Sequence, residues 1–85
     1  MAKELTFTQD NNRYICEVES EGIHAVQIEM ASKGHFAIFG CIDGLNPVEI
    51  YRHEPSKSLL LELDIPEGVT IRMVAWEKVE SAKLI

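Results

Sequence analysis

The sequence predicts an all-β chain: an antiparallel β-sandwich or jelly-roll-like domain of about seven or eight short strands, running as one unit over residues 1–85. Three observations predict it. Apolar residues recur at every second position through most segments. Clusters of Gly, Pro, Asn, Asp and Ser punctuate the chain about every 8–12 residues. No segment sustains the i, i+3, i+4 spacing of an amphipathic helix.

Each element follows from local text. In LTFT, Leu5 and Phe7 lie on one side and Thr6 and Thr8 on the other. QDNNR then supplies the Asn and Asp residues that tolerate tight turns. RYICEVES sets Tyr14, Cys16 and Val18 against Arg13, Glu17 and Glu19, with Ile15 as the apolar exception. Ser20-Glu21-Gly22 turns the chain into IHAVQIEMA, where His24, Val26, Ile28 and Met30 alternate with Ala25, Gln27 and Glu29. A turn is expected at Ser32-Lys33-Gly34, before the central stretch GHFAIFGCIDG, which Asp43-Gly44 closes. VEIYRHE places Val48 and Ile50 opposite Glu49, Tyr51 and His53, until Pro55 and the loop PSKS interrupt it. LLLELDI sets Leu59, Leu61, Leu63 and Ile65 against Leu60, Glu62 and Asp64. Pro66-Glu67-Gly68 is a turn, followed by the less regular VTIRMVAWEKV and a last segment, SAKLI.

Composition narrows the function. Eighty-five residues form one small domain, which buries only about 60–65% of the surface its unfolded chain exposes and gains from added partners. Fourteen acidic residues stand against eight Lys and Arg, a net charge of −6. The basic residues are scattered singly, without the stripe a nucleic-acid site needs, so neither nucleic acid nor an anionic membrane is expected as partner. No apolar run is long enough to cross a bilayer as a helix. The N-terminal text lacks the pattern of a signal peptide. The expected location is therefore cytoplasmic, or a virion if the chain is phage-encoded. Cys16 and Cys41 form no Cys-x-x-Cys pair and are expected as buried free thiols.

The chemistry-bearing residues do not assemble into a motif. A structural zinc site draws four ligands together, usually as close pairs along the chain, yet no Cys or His lies within four positions of another. His35 and Cys41 share a strand face but stand six residues apart, about 20 Å along a strand. His24 and His35 are expected near a sheet rim and His53 on a solvated face beside Glu49. Neither cysteine has the electropositive setting of an activated thiolate. No Gly-x-Ser-x-Gly elbow occurs, and the glycines match neither a phosphate loop nor a dinucleotide fingerprint. No metal, no cofactor, no catalytic residue and no enzymatic activity are expected.

What stands out is surplus apolar surface. A strand of a two-layer sandwich is ordinarily apolar on one face. Residues 36–42 are apolar or glycine on both: Phe36, Ile38 and Ile42 on one, Ala37, Phe39 and Cys41 on the other. Leu60 adds to an outer face, and Ile71, Met73 and Ala75 share their strand with Val74 and Trp76. A covering partner explains such text; the alternative is a bend or bulge, at Gly40 for instance, that folds these residues into one core. Phe36, Phe39, Leu60, Trp76 and Tyr51 are the expected contact residues.

The opening MAKELTFTQDNNRYICEVES and the closing IPEGVTIRMVAWEKVESAKLI resemble small β proteins encoded in prophages and phages of gut bacteria. In those, a short ELTFT strand and a turn lead into a Tyr-containing strand, and a late I-P-x-x-V-x-I-R strand closes the domain. The resemblance covers about 40 residues and implies a structural or accessory role in a virion, packed in multiple copies against itself or against a capsid or tail component. It carries over no functional residue. The expectation is thus a non-enzymatic protein that acts by self-association or by packing on another structural protein. The alternative is a small carbohydrate- or ligand-binding β module using Tyr51 and Trp76.

Overall fold

The computed structural model describes residues 2–85. Its regular elements are seven strands: β1 (Lys3–Glu4), β2 (Thr8–Asp10), β3 (Arg13–Glu19), β4 (Ile23–Ile42), β5 (Val48–Ile65), β6 (Val69–Ala75) and β7 (Val79–Leu84). All pair antiparallel in one sheet of order β1-β7-β4-β6-β3-β2, with β5 also on β4. The sheet is curled into a half-barrel. The all-β antiparallel architecture that the alternation predicts is the one observed, drawn from one continuous sheet folded over itself.

The long hairpin of β4 and β5 organises it. Along one side β4 pairs with β5 over nearly its whole length, Ile23 with Ile65 at one end and Gly40 with Val48 at the other. Along the other side its first half pairs with β7, from Val26–Leu84 to Met30–Val79. Its second half pairs with β6, from Phe36–Ala75 to Ile42–Val69. The change of neighbour coincides with register shifts between Glu29 and Phe36, and irregular pairing of this kind bends strands and increases twist. The Ala31 N–H donates to the Lys78 carbonyl at 2.8 Å, holding the bend to the β6–β7 connection.

Both halves of the hairpin contribute to one core. Ile23, Val26, Ile28, Met30, Leu59 and Leu61 from the first half meet Phe36 and Ile38 from the second, together with Ile71 and Met73 of β6 and Cys16 of β3. Each fully buried side chain of this size contributes about 1.5–3 kcal/mol, so the inner face is what holds the curl closed. Left-handed backbone at Asn11, Gly22, Asp43, Gly44 and Gly68 lies in the turns that the sequence marks.

Several local expectations differ. Ser32-Lys33-Gly34 does not turn the chain, and Pro55 does not stop it; β4 and β5 run through both sites. Pro55 is tolerated because β5 is an edge strand, where a missing N–H need not break a ladder. The LTFT strand is divided: residues 5–7 are irregular between β1 and β2, with Leu5 buried and its N–H donating to the Ala82 carbonyl at 2.9 Å. VTIRMVAWEKV breaks at Trp76-Glu77, so Trp76 sits at a bend. A register shift between Ile23 and Ala25 turns His24 out to solvent.

Parity along β5 is also reversed near its start. Ile38 pairs with Tyr51 but Phe39 pairs with Glu49, so Ile50 is an extra, bulged residue. The bulge brings Tyr51 and His53 to the inner side and leaves Val48 and Ile50 67% and 47% exposed. The irregularity expected at Gly40 therefore lies one step away, on the partner strand. Ile50 lies over Gly40, where a Cβ would stand 2.6 Å from the Ile50 Cδ1.

Candidate functional site

Cross-strand partners share a face of a sheet, so the register fixes where the five expected contact residues lie. Phe36 faces inward, paired with Ala75 and His53, and is fully buried. It belongs to the protein's own core and presents nothing to a partner, which corrects its assignment as a contact residue. The spacing of the text showed that both faces of 36–42 were apolar but not that the chain closes over this one.

Phe39 lies on the outer face, opposite Arg72 on one side and Glu49 on the other. Each neighbour is ion-paired: Arg72 with Glu17 at 3.0 Å, and Glu49 with Arg52 at 2.7 Å. Phe39 is half-buried between these pairs. In the next row Ala37 and Val74 are buried although they face outward. The second cover of the central strand thus comes in good part from this chain's own long polar side chains, whose aliphatic stems shield apolar surface.

Trp76 is half-buried on the same side. Its ring meets the His35 ring edge-on at 6.5 Å and lies 5.6 Å from the Arg52 guanidinium carbon. Tyr51 points the other way, packed on the core with its hydroxyl 2.9 Å from His53 Nδ1. The two aromatics of the carbohydrate-binding alternative therefore stand on opposite faces, and form no common platform for a sugar ring. His53, expected on a solvated face beside Glu49, is half-buried beside Tyr51 instead. Leu60 lies on the outer face and is 68% exposed, as its place in LLLELDI predicts.

Both cysteines are free. Cys16 faces inward opposite Met73, where burial pushes its thiol up from its ordinary range. Cys41 is on the outer face opposite Thr70 and half-buried. With the sheet between them they cannot bond. Among the described residues no three His, Cys, Asp or Glu side chains are grouped so as to hold a metal ion. No helix there is long and apolar enough to cross a membrane. The surface hollows are small: one of about 200 Å³ lies between His35, Arg52, His53 and Glu54, and one of about 180 Å³ adjoins Leu60 and Ile85. Small-molecule sites commonly enclose about 300–1,000 Å³.

The distinctive surface is the β4–β5 hairpin itself. Of the six large apolar side chains left exposed among the described residues, five belong to it: Ile42, Leu45, Val48, Ile50 and Leu60. Its outer strand, β5, eighteen residues long, is paired with β4 alone, so its other edge meets no strand among the described residues. The other edge strands are trimmed short, β1 to two residues and β2 to three. Short edges are a usual protection against unwanted strand pairing, and β5 lacks it.

Comparison with known protein families, with curated proteins and with solved structures found no match for this chain.

Proposed function

We propose that this chain is a non-enzymatic assembly protein that works by packing against further copies of itself. The observation that carries the proposal is the coincidence of exposed apolar side chains and an open strand edge on one hairpin. Apolar surface and unpaired N–H and C=O groups are the two features that association through strands uses. The likeness of the terminal segments to small β proteins of phages supports a virion setting, capsid or tail, where many copies meet.

Light scattering after size exclusion tests this. A native mass at a multiple of the 9.6 kDa chain is expected. An Ile50→Lys, Leu60→Lys double variant should shift it toward the single chain while keeping its β circular dichroism. A wild-type chain that stays at 9.6 kDa at high concentration contradicts the proposal.

A further inference from the structure

We propose that the partner is a second copy of this chain, bound through residues 56–64 of β5 as an antiparallel strand pair with Leu60 on the two-fold axis. This rests on the self-association reading above and specifies its geometry.

The open edge is bounded at both ends. Pro55 has no N–H to donate. At the far end the Ile65 carbonyl already accepts a hydrogen bond from Ser20 Oγ at 3.1 Å. Between them lie nine residues whose midpoint is Leu60, the most exposed large apolar side chain on β5. The inside–outside alternation is unbroken from Ser58 to Ile65. A closed dimer needs a self-complementary patch, and an antiparallel pair about a two-fold axis normal to the sheet keeps each residue on its own face.

With Leu60 on the axis, residue i faces residue 120 − i of the other copy. Leu60 then meets Leu60, and Leu59 meets Leu61. Glu62 faces Ser58, whose hydroxyl can donate to it, and Asp64 faces Ser56, whose hydroxyl donates to the Ser58 carbonyl at 2.8 Å in the single chain and would turn to the carboxylate; no acid opposes an acid. Moving the axis to Leu61 sets Leu60 against Glu62. Moving it to Glu62 sets Glu62 against its own copy, which is destabilising. Within residues 56–64 only the central register sets the exposed leucine against another apolar side chain, and it opposes no like charges.

Cysteine cross-linking reads the register. In a Cys41→Ala background, Leu60→Cys places two thiols across a directly opposed pair, about 4.5–5.5 Å between Cβ atoms and close to disulfide reach. Glu62→Cys places them four residues apart along the strand, about 13 Å. Under mild oxidation, Leu60→Cys should give at least tenfold more covalent dimer than Glu62→Cys. Equal yields, or a dimer that links through Val48→Cys and not Leu60→Cys, would overturn this interface while leaving self-association standing. A chain that light scattering shows to be monomeric, with no cross-link from any variant, removes both.

Discussion

Ser20 is the one buried polar side chain among the described residues, 2% exposed, and it ties the turn at 20–22 to the turn at 66–68. Its Oγ donates to the Ile65 carbonyl at 3.1 Å and accepts the Gly22 N–H at 3.0 Å. Its backbone N–H donates to the Val69 carbonyl, and its carbonyl accepts from the Gly68 N–H. In Ser20→Ala the backbone bonds remain and both side-chain bonds go. Each lost bond is worth about 0.5–1.5 kcal/mol, and a buried carbonyl left without a partner brings about 1–3 kcal/mol. Because Ile65 is only 5% exposed, water cannot readily replace the hydroxyl, and the expected total is about 2–3 kcal/mol. For a chain of this size that is about 10–20 °C in melting temperature. Urea and thermal unfolding followed by circular dichroism measure it, with the exposed Ser81→Ala as control, expected within about 0.5 kcal/mol of wild type. If Ser20→Ala and Ser81→Ala behave alike, the hydroxyl does not hold these turns and the account of this end of the half-barrel is wrong.

Two further predictions concern the central strand and the buried thiol. Phe36→Ala opens a cavity in the core and should cost about 3–5 kcal/mol, whereas Phe39→Ala, on the half-covered outer face, should cost about half as much or less in the same urea titration. Similar losses would mean that the two faces are covered alike. Cys16 has its thiol pKa raised chiefly by burial, against smaller lowering effects from a backbone hydrogen bond at Thr6 and from Lys3. Because the folded thiol holds its proton after the unfolded one has lost it, the stabilisation is complete below the free-thiol pKa, about 8.5. It is lost as pH rises from there through the folded value. Wild type should therefore lose stability more steeply above about pH 8.5 than Cys16→Ala, and parallel pH profiles would remove the thiol from that account.

Much of the fold is legible in the text, for reasons that can be located. LLLELDI alternates as β5 does, and GHFAIFGCIDG is a central strand with neighbours on both sides. Turns that require positive φ carry the Asn, Asp and Gly that permit it. What escapes the text is set by contacts between distant residues. Ser32-Lys33-Gly34 and PSKS carry turn-like composition, yet pairing with β5 and the link to Lys78 keep β4 extended through the bend. A single extra residue, Ile50, inverts the sidedness of Tyr51 and His53, since strand parity has no tolerance for one inserted position. The candidate surface divides in the same way. Leu60 is where alternation puts it, whereas Phe36 and Phe39 could not be told apart, because two-sided apolar text does not say which face the chain itself will close. Ser20 gave no signal either, its partner lying 45 residues away. Nor does strand text reveal that β5 is an edge, for that depends on which strands never come to pair with it.

The most direct test of the central claim, that the β5 edge is where another copy binds, is amide hydrogen exchange of residues 56–64 at low and high protein concentration. Edge amides pointing away from β4 have no strand partner among the described residues and should exchange rapidly when dilute. They should slow by at least tenfold as copies associate, while the amides of β6, already paired on both sides, stay unchanged. Exchange of 56–64 that is independent of concentration, in a sample whose mass shows association, would place the contact elsewhere and contradict the account.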